Sequence, residues 1–448
     1  MLYRLRSTYR EYSPQFWLVV GVSFIDRIGG TMLFPFFSLY ITWKFDVGMT
    51  QAGIVLGIFS AFGMVGNFIG GALTDKLGRR NLIVFGLVSS ALSTLSLGLA
   101  NNLTTLYPLA IIVGLFSNIG RPARQAMIAD ILPEKQRAEG FGILRVVANF
   151  SWIIGPTIGG FVANRSYLAL FITDAVISTG VALLFYFLIS ETKPKASVEA
   201  EAESMLETFK GYSIVLRNMA YMAFITASIL MGLVYLQMYN SLSVYLRDNH
   251  SIDSQGYGLL MSTSAITVIL LQFWTTRRIK FRAPFTMMAL GAFFYGIGFL
   301  MFGFDPLAAL GSSFQLYSWD ISLRGTFLWF MGAVMIITIG EMIIMPVSQA
   351  LAANFAPEEM RGRYMAIYSL AWAIPATFGP GLAGVILDNK NYDPNLLWYI
   401  GGILCLISIL GFYALHLKLG GQKRFAATRV DEELWLFSSL QGLPHIWG

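Results

Sequence analysis

Charge is scarce in this chain. Asp, Glu, Lys and Arg make up only 12% of its 448 residues, whereas a soluble globular domain carries about 25%. That scarcity excludes a large soluble core, which would need short helices with polar outer faces. Cysteine is almost missing: Cys405 stands alone, so no disulfide can form within the chain. The three histidines stay out of the middle of apolar runs, with His250 in a polar segment and His416 near the end of a run. A proton relay built here therefore has to rest on carboxylates. Without a metal-spaced His/Cys cluster, a phosphate-binding glycine loop or a nucleophile motif, no metal, no cofactor and no enzyme activity is expected.

Period-two alternation is missing as well. What fills the chain instead is long apolar runs: 56% of the residues are hydrophobic and the mean hydropathy is +0.62. Runs of about 20 apolar residues are long enough to cross a bilayer, and without alternation they are helices rather than barrel strands. Twelve spans are expected, at 16–41, 50–73, 81–100, 103–131, 138–164, 166–190, 218–246, 255–275, 285–304, 326–353, 364–387 and 395–417. No cleaved leader is expected, because the first run is too long and carries Asp26 and Arg27.

Basic residues orient these spans. With both termini cytoplasmic, the external loops hold only Lys44, Arg165, Arg247, Arg324 and Lys390. Four arginines (Arg27, Arg121, Arg124 and Arg145) lie inside spans, and the other 22 of 31 basic residues are cytoplasmic. The net charge of +6 is thus a topology signal and implies no nucleic acid.

One long polar stretch, Glu191–Asn218, separates six spans from six. The two parts repeat at an offset of 224: "RPARQAMIADILPEKQR" from Arg121 lines up with "MPVSQALAANFAPEEMR" from Met345, and Gly155-Pro156 with Gly379-Pro380. The expected fold is an all-α membrane protein of twelve transmembrane helices in two six-helix halves. The expected segments are 1–190, a cytoplasmic linker at 191–217, 218–417, and a cytoplasmic tail at 418–448. The stretch Glu433–Gly448 has no assigned role.

The loop "GGALTDKLGRRN" (Gly70–Asn81) resembles the signature loop of the major facilitator superfamily at Gly71, Leu73, Asp75, Lys76, Gly78, Arg79 and Arg80. Gly71 is expected to allow close helix approach and Gly78 a tight turn. Asp75 is expected to face the positive N-terminal end of span 11. The resemblance implies a cytoplasmic gate that also joins Asp130, at the end of span 4, to Arg79 or Arg80. "SWIIGPTIGG" (Ser151–Gly160) is similar to the superfamily's antiporter motif at Gly155, Pro156, Gly159 and Gly160, with Ser151 where the motif has glycine. The whole chain resembles drug:proton antiporters of that superfamily, and "IGEMI..P" and "PEEMRGRY" resemble the LmrP-like group of multidrug exporters. Two departures stand out. The exporter pattern R-x-x-Q-G in span 4 is missing, and span 7 has Gln237 and Asn240 where some relatives carry an acid.

Carboxylates inside the spans are Asp26, Asp130, Asp174 and Glu341. An ionisable group in lipid costs at least about 2.5 kcal/mol, so each is a functional candidate. Glu341, in "MIITIGEMIIMP", has no cation near it in sequence and shares a helix face with Thr338, Met345 and Ser348. It is the first candidate for a proton carrier that also senses a cationic substrate, with Asp26, Asp174 and Arg145 the further coupling candidates. Asp26 and Arg27 point about 100° apart, so one of them is expected to pair with Arg145. Aromatic and methionine side chains suit a pocket for lipophilic cations. The candidates are Phe34, Phe37, Tyr235, Gln237, Met238, Tyr239, Asn240, Thr338, Met345, Tyr368 and Trp372.

The resemblance implies a monomeric exporter of lipophilic, often cationic small molecules by proton antiport, in a bacterial cytoplasmic membrane. A proton-coupled symporter, a lipid or metabolite exporter, and a non-transporting membrane sensor remain alternatives, since fold does not imply substrate.

Overall fold

The computed structural model describes residues 11–192, 212–279, 282–307, 314–316, 319–321, 325–357 and 360–419. Twelve helices are long and apolar enough to cross a membrane. Spans 1 to 6 are Pro14–Lys44, Met49–Thr74, Arg79–Leu99, Leu103–Ile131, Val146–Arg165 and Tyr167–Leu188. Spans 7 to 12 are Met219–Asn240, Ser254–Gln272, Pro284–Gly303, Gly325–Asn354, Arg363–Leu387 and Leu396–Leu419. Most of the linker expected at 191–217, and the tail beyond residue 419, lie outside the described residues.

Capping residues explain several starts. Ser13 accepts from Phe16 N at 3.2 Å ahead of Pro14, Asn102 from Thr105 N at 2.9 Å, and Asn218 from Tyr221 N at 3.1 Å. Each satisfies an amide that the first helical turn leaves without a partner. Some breaks were not foreseen. Span 1 tightens to a 3-10 turn at Phe34–Phe36, around Pro35. Span 4 is two helices that meet at Gly120, and span 7 is interrupted at Leu236. A two-stranded antiparallel hairpin, Phe314–Leu316 with Trp319–Ile321, lies between spans 9 and 10 and amends the all-helical expectation.

Spans 1–6 and 7–12 form two six-helix halves. They meet where span 2 packs on span 11 and span 5 on span 8. Pro14 and Leu419 lie on one side of the bundle, here called the terminal side; the other is the distal side. The described side-chain hydrogen bonds between halves all lie in the distal part. Ser38 Oγ meets Ser243 Oγ at 3.2 Å, Arg247 Nη1 donates to Thr42 Oγ1 at 2.9 Å, and Tyr167 OH meets Ser254 Oγ at 2.9 Å. Thr157 and Ser262 also pair through their hydroxyls. Asp388, at the end of span 11, accepts from Met49 N and Thr50 N, each at 2.7 Å, and so caps span 2 of the other half.

The apolar core is divided in the same way. One cluster runs from the distal end of the first half through the second half, from Phe36, Tyr40 and Phe171 to Tyr257, Phe299 and Trp398. A separate cluster, with Phe16, Leu82, Ile83, Met127 and Phe185, fills the terminal end of the first half alone. The halves are joined distally and part toward the terminal side.

Candidate functional site

Two cavities occupy the space between the halves. The inner one, about 290 Å³, is lined by Phe34 of span 1, Asn149 and Trp152 of span 5, Tyr235 and Tyr239 of span 7, Met261 and Ser264 of span 8, and Glu341 and Met345 of span 10. Its walls are aromatic. The Trp152 and Tyr239 ring centres are 5.1 Å apart at 61°, and Phe34 meets Trp152 edge-on at 6.5 Å. Tyr235 and Tyr239 lie 5.4 Å apart with their hydroxyls 3.0 Å from each other. Such rings offer negative faces to a cation.

Local sequence places Glu341. Pro346 lies inside span 10 and has no N–H, which leaves the Met342 carbonyl without its helical donor. Gln272 of span 8 supplies a long replacement at 3.4 Å. One turn before Glu341, the fully buried Thr338 hydroxyl donates to its own helix at Val334 O and meets Ser264 Oγ at 2.8 Å. Both contacts tie span 10 to span 8 on either side of the carboxylate.

The outer cavity, about 730 Å³, lies in the terminal half of the bundle. It is lined by Ser23, Asp26, Arg27, Ser90, Asn118, Arg121, Arg124, Gln125 and Leu144 of the first half and Gln349 of the second, among others. Arg124 Nη1 donates to Asp26 Oδ2 at 2.7 Å. The sequence points to Arg145 as the partner of Asp26 or Arg27; among the described side chains the partner of Asp26 is Arg124. Span 1 packs against the second helix of span 4, which brings a guanidinium from there onto the carboxylate. The side chain of Arg145 lies outside the described ones.

The other sequence candidates divide cleanly. Phe34, Tyr235, Tyr239, Glu341 and Met345 line the inner cavity, while Tyr368 and Trp372 line a smaller void beside it with Tyr235. Phe37 instead packs on Tyr40 and Phe171 at the distal end. Gln237, Met238 and Asn240 are buried in packing: Gln237 bonds Leu233 O and Ser241, and the Met238 carbonyl accepts from Tyr257. Asp174 is buried over Gly29, where an added Cβ would fall 2.7 Å from its Oδ1, and it lines neither cavity. Trp152, Asn149 and Ser264 were missed. Trp152 had a signal, since it sits inside the glycine-proline motif, but its face depends on how span 5 is rotated.

At the terminal end, Gly78 has φ +88°, so the turn between spans 2 and 3 takes a backbone shape that favours glycine. Arg79 Nε donates to Asp130 Oδ2 at 3.1 Å, as the loop resemblance led one to expect. Arg80 instead lies 4.6 Å over the Tyr186 ring. An unforeseen acid, Glu191, accepts from the backbone amides of Arg79 and Arg80 at 2.8 and 3.1 Å and caps span 3. Gly71 is not the close-approach glycine, because a Cβ there meets open space. Gly70, turned 100° away, faces the Ile119 carbonyl of span 4. The side chain of Asp75 lies outside the described ones.

In the second motif, Gly155 and Gly159 lie against Thr31 and Met32 of span 1, and Gly160 faces span 8, where its Cβ would meet Ser254 O at 2.8 Å. Gly258 covers the Pro156 carbonyl from span 8. Ser151, which replaces the motif's first glycine, is fully buried at the crossing of spans 1 and 5, and its carbonyl accepts from Thr31 at 2.9 Å.

The sequence profile of the Major Facilitator Superfamily matches residues 19–323 and 306–447. The chain belongs to this superfamily, and it is a membrane transporter. It is 28% identical over 379 residues to a Na(+), Li(+), K(+)/H(+) antiporter of Planococcus maritimus, covering 78% of this chain and 84% of that one. It is 31% identical over 146 residues to the quinolone resistance protein NorA of Staphylococcus aureus, covering 32% and 37%. Among solved structures, a POT family transporter in complex with 5-aminolevulinic acid superposes with a TM-score of 0.74 at 15% identity, covering 90% of this chain and 96% of that one. The nucleoside transporter NupG does so with 0.72 at 12%, covering 90% and 99%. At those identities the superpositions speak for the fold alone.

Proposed function

We propose that this transporter is a proton antiporter that exports lipophilic, often cationic organic compounds by alternating access. The observation that carries the reading is Glu341, set in an aromatic cavity of about 290 Å³ between the two halves. A carboxylate there can be proton-loaded from one side and emptied on the other, or neutralised by a bound cation, so the two ligands compete for one charge. The terminal side, rich in Lys and Arg, is the cytoplasmic side. The conformation described is then inward-facing, closed externally by the Asp388 cap and the span 5–8 crossing. Arg79 with Asp130, and Asp75, act in the cytoplasmic gate, and Asp26 and Asp174 are secondary coupling candidates.

The alkali-cation antiporter among the relatives raises a second reading. A bare alkali cation needs a shell of oxygen ligands to replace its water. The inner cavity surrounds its carboxylate with aromatic rings and methionines, and three of its four other oxygen-bearing side chains are already engaged, Tyr235 with Tyr239 and Ser264 with Thr338, which favours an organic cation. The test is Glu341→Gln in proteoliposomes. Uphill export of ethidium driven by a pH gradient should stop, while exchange down an ethidium gradient continues. Uphill export at the wild-type rate would refute the role of Glu341. Potassium-driven proton movement without ethidium transport would favour the second reading.

A further inference from the structure

The outer cavity carries the opposite charge from the inner one. Among the described residues, Arg27, Arg121 and Arg124 face it with Asp26 as the single lining carboxylate, so the described wall is positive by two charges. Guanidinium groups stay protonated throughout the physiological range. Among the described residues neither Arg27 nor Arg121 has an ion-pair partner. Arg124 binds Asp26 through Nη1, while its Nε is buried with no acceptor. Ser23, Ser90, Ser117, Asn118, Gln125 and Gln349 add neutral hydrogen-bonding groups around the three arginines. Repulsion of like charge makes this a poor resting place for a lipophilic cation. The arrangement suits an anion, because guanidinium forks match the oxygens of a carboxylate, sulfonate or phosphate.

The two cavities adjoin. Ala148 and Val147 line the outer one, and their neighbours Asn149 and Trp152 line the inner one. On span 10, Gln349 of the outer cavity is one helical turn from Met345 of the inner. A molecule with an anionic group among the arginines can therefore place its apolar body toward Trp152 and Met345.

Resting on the transporter reading, we propose that the Arg27–Arg121–Arg124 cavity is an anion subsite. It widens the substrate class to amphipathic zwitterions and organic anions, whose acidic group it holds in the inward-facing state. The same chemistry would hold the headgroup of an anionic lipid, so the test must tell these sources apart.

The probes are tetramethylrhodamine, which bears a free carboxylate, and its methyl ester, which has the same cationic ring system without that charge. Their binding to purified protein is followed by fluorescence anisotropy in nanodiscs of phosphatidylcholine, and again with phosphatidylglycerol added. The free acid should bind about tenfold tighter than the ester, the size of one charge-assisted hydrogen bond. Arg121→Gln and Arg27→Gln should each bring the affinity ratio close to one, while Arg121→Lys, which keeps the charge, retains part of the preference. Both glutamine variants leave the Asp26–Arg124 pair in place, and an unchanged thermal unfolding midpoint verifies their fold.

A preference that phosphatidylglycerol abolishes supports the anion site and assigns it to a lipid headgroup. One that persists assigns it to the substrate. Equal binding of the two dyes, a preference that both glutamine variants retain, or binding of neither dye overturns the proposal. Failure of proton-driven ethidium export would strike the antiport reading and leave this binding result standing.

Discussion

The carboxylate of Asp388 is the contact between halves whose loss is easiest to weigh. It reaches from the end of span 11 to the first two amides of span 2, with both bonds at 2.7 Å. Those amides carry part of the positive end of the span 2 helix. A side-chain cap contributes about 0.5–2 kcal/mol, and a negative charge at a helix N-terminus adds about 0.3–1 kcal/mol. Asp388 is exposed to solvent, so the sum should fall near the low end, about 1–2 kcal/mol. Asp388→Ala should therefore move the equilibrium toward distal opening by about five- to thirtyfold. Gly48→Ala offers an independent perturbation, because a Cβ on Gly48 runs into the Asp388 carboxylate. The assay is pulsed electron resonance between nitroxides on cysteines replacing the exposed Trp43 and Tyr392, one in each half, with Cys405 changed to serine. A longer-distance population should grow in both variants, and Asp388→Asn should fall between them and wild type. Distance distributions in both Asp388→Ala and Gly48→Ala that match wild type would refute the latch.

Three further outcomes follow from the geometry. Asp26→Ala should destabilise the protein by about 2 kcal/mol, less than a fully buried pair because the side chains of Arg124 and Asp26 are 22% and 18% exposed. Adding Arg124→Ala should recover part of that loss in thermal unfolding, and strictly additive losses would show that the pair is uncoupled. His250 bonds Tyr245 and packs on Phe330, and burial holds its pKa below the usual 6.5 despite the opposing pull of Asp305. The unfolded chain then binds the proton first, so stability should fall as pH drops below about 6.5. His250→Gln should flatten that limb of a thermal-stability profile. At the span 5–8 crossing, Gly258→Leu should force the halves apart where Gly258 covers the Pro156 carbonyl. Reagents added from the distal side should then label a cysteine at Ser262 faster than in the Gly258 parent.

Much of this protein was legible in its residues one at a time. Twelve long apolar runs with few charges could only be helices in lipid, because backbone groups there must bond within their own segment. Gly78 announced its turn, since glycine readily takes a positive φ. Glu341 announced its cavity, since a charge amid Ile and Met needs a reason to be there. Pairings were not legible, because they depend on how helices rotate and tilt against one another. Asp26 found Arg124, 98 residues away across the turn of another helix, a partner that spacing did not suggest. The glycine that packs proved to be Gly70 and not its neighbour Gly71, a difference of 100° about one axis. The motif tryptophan at position 152 became a cavity wall, whereas Gln237, Met238 and Asn240, chosen for their chemistry, turned inward to packing. Nothing in the sequence singled out Asp388 or Glu191. Only the assembled bundle brought each carboxylate to the exposed amides of a distant helix, where its charge has an effect that composition and spacing do not encode.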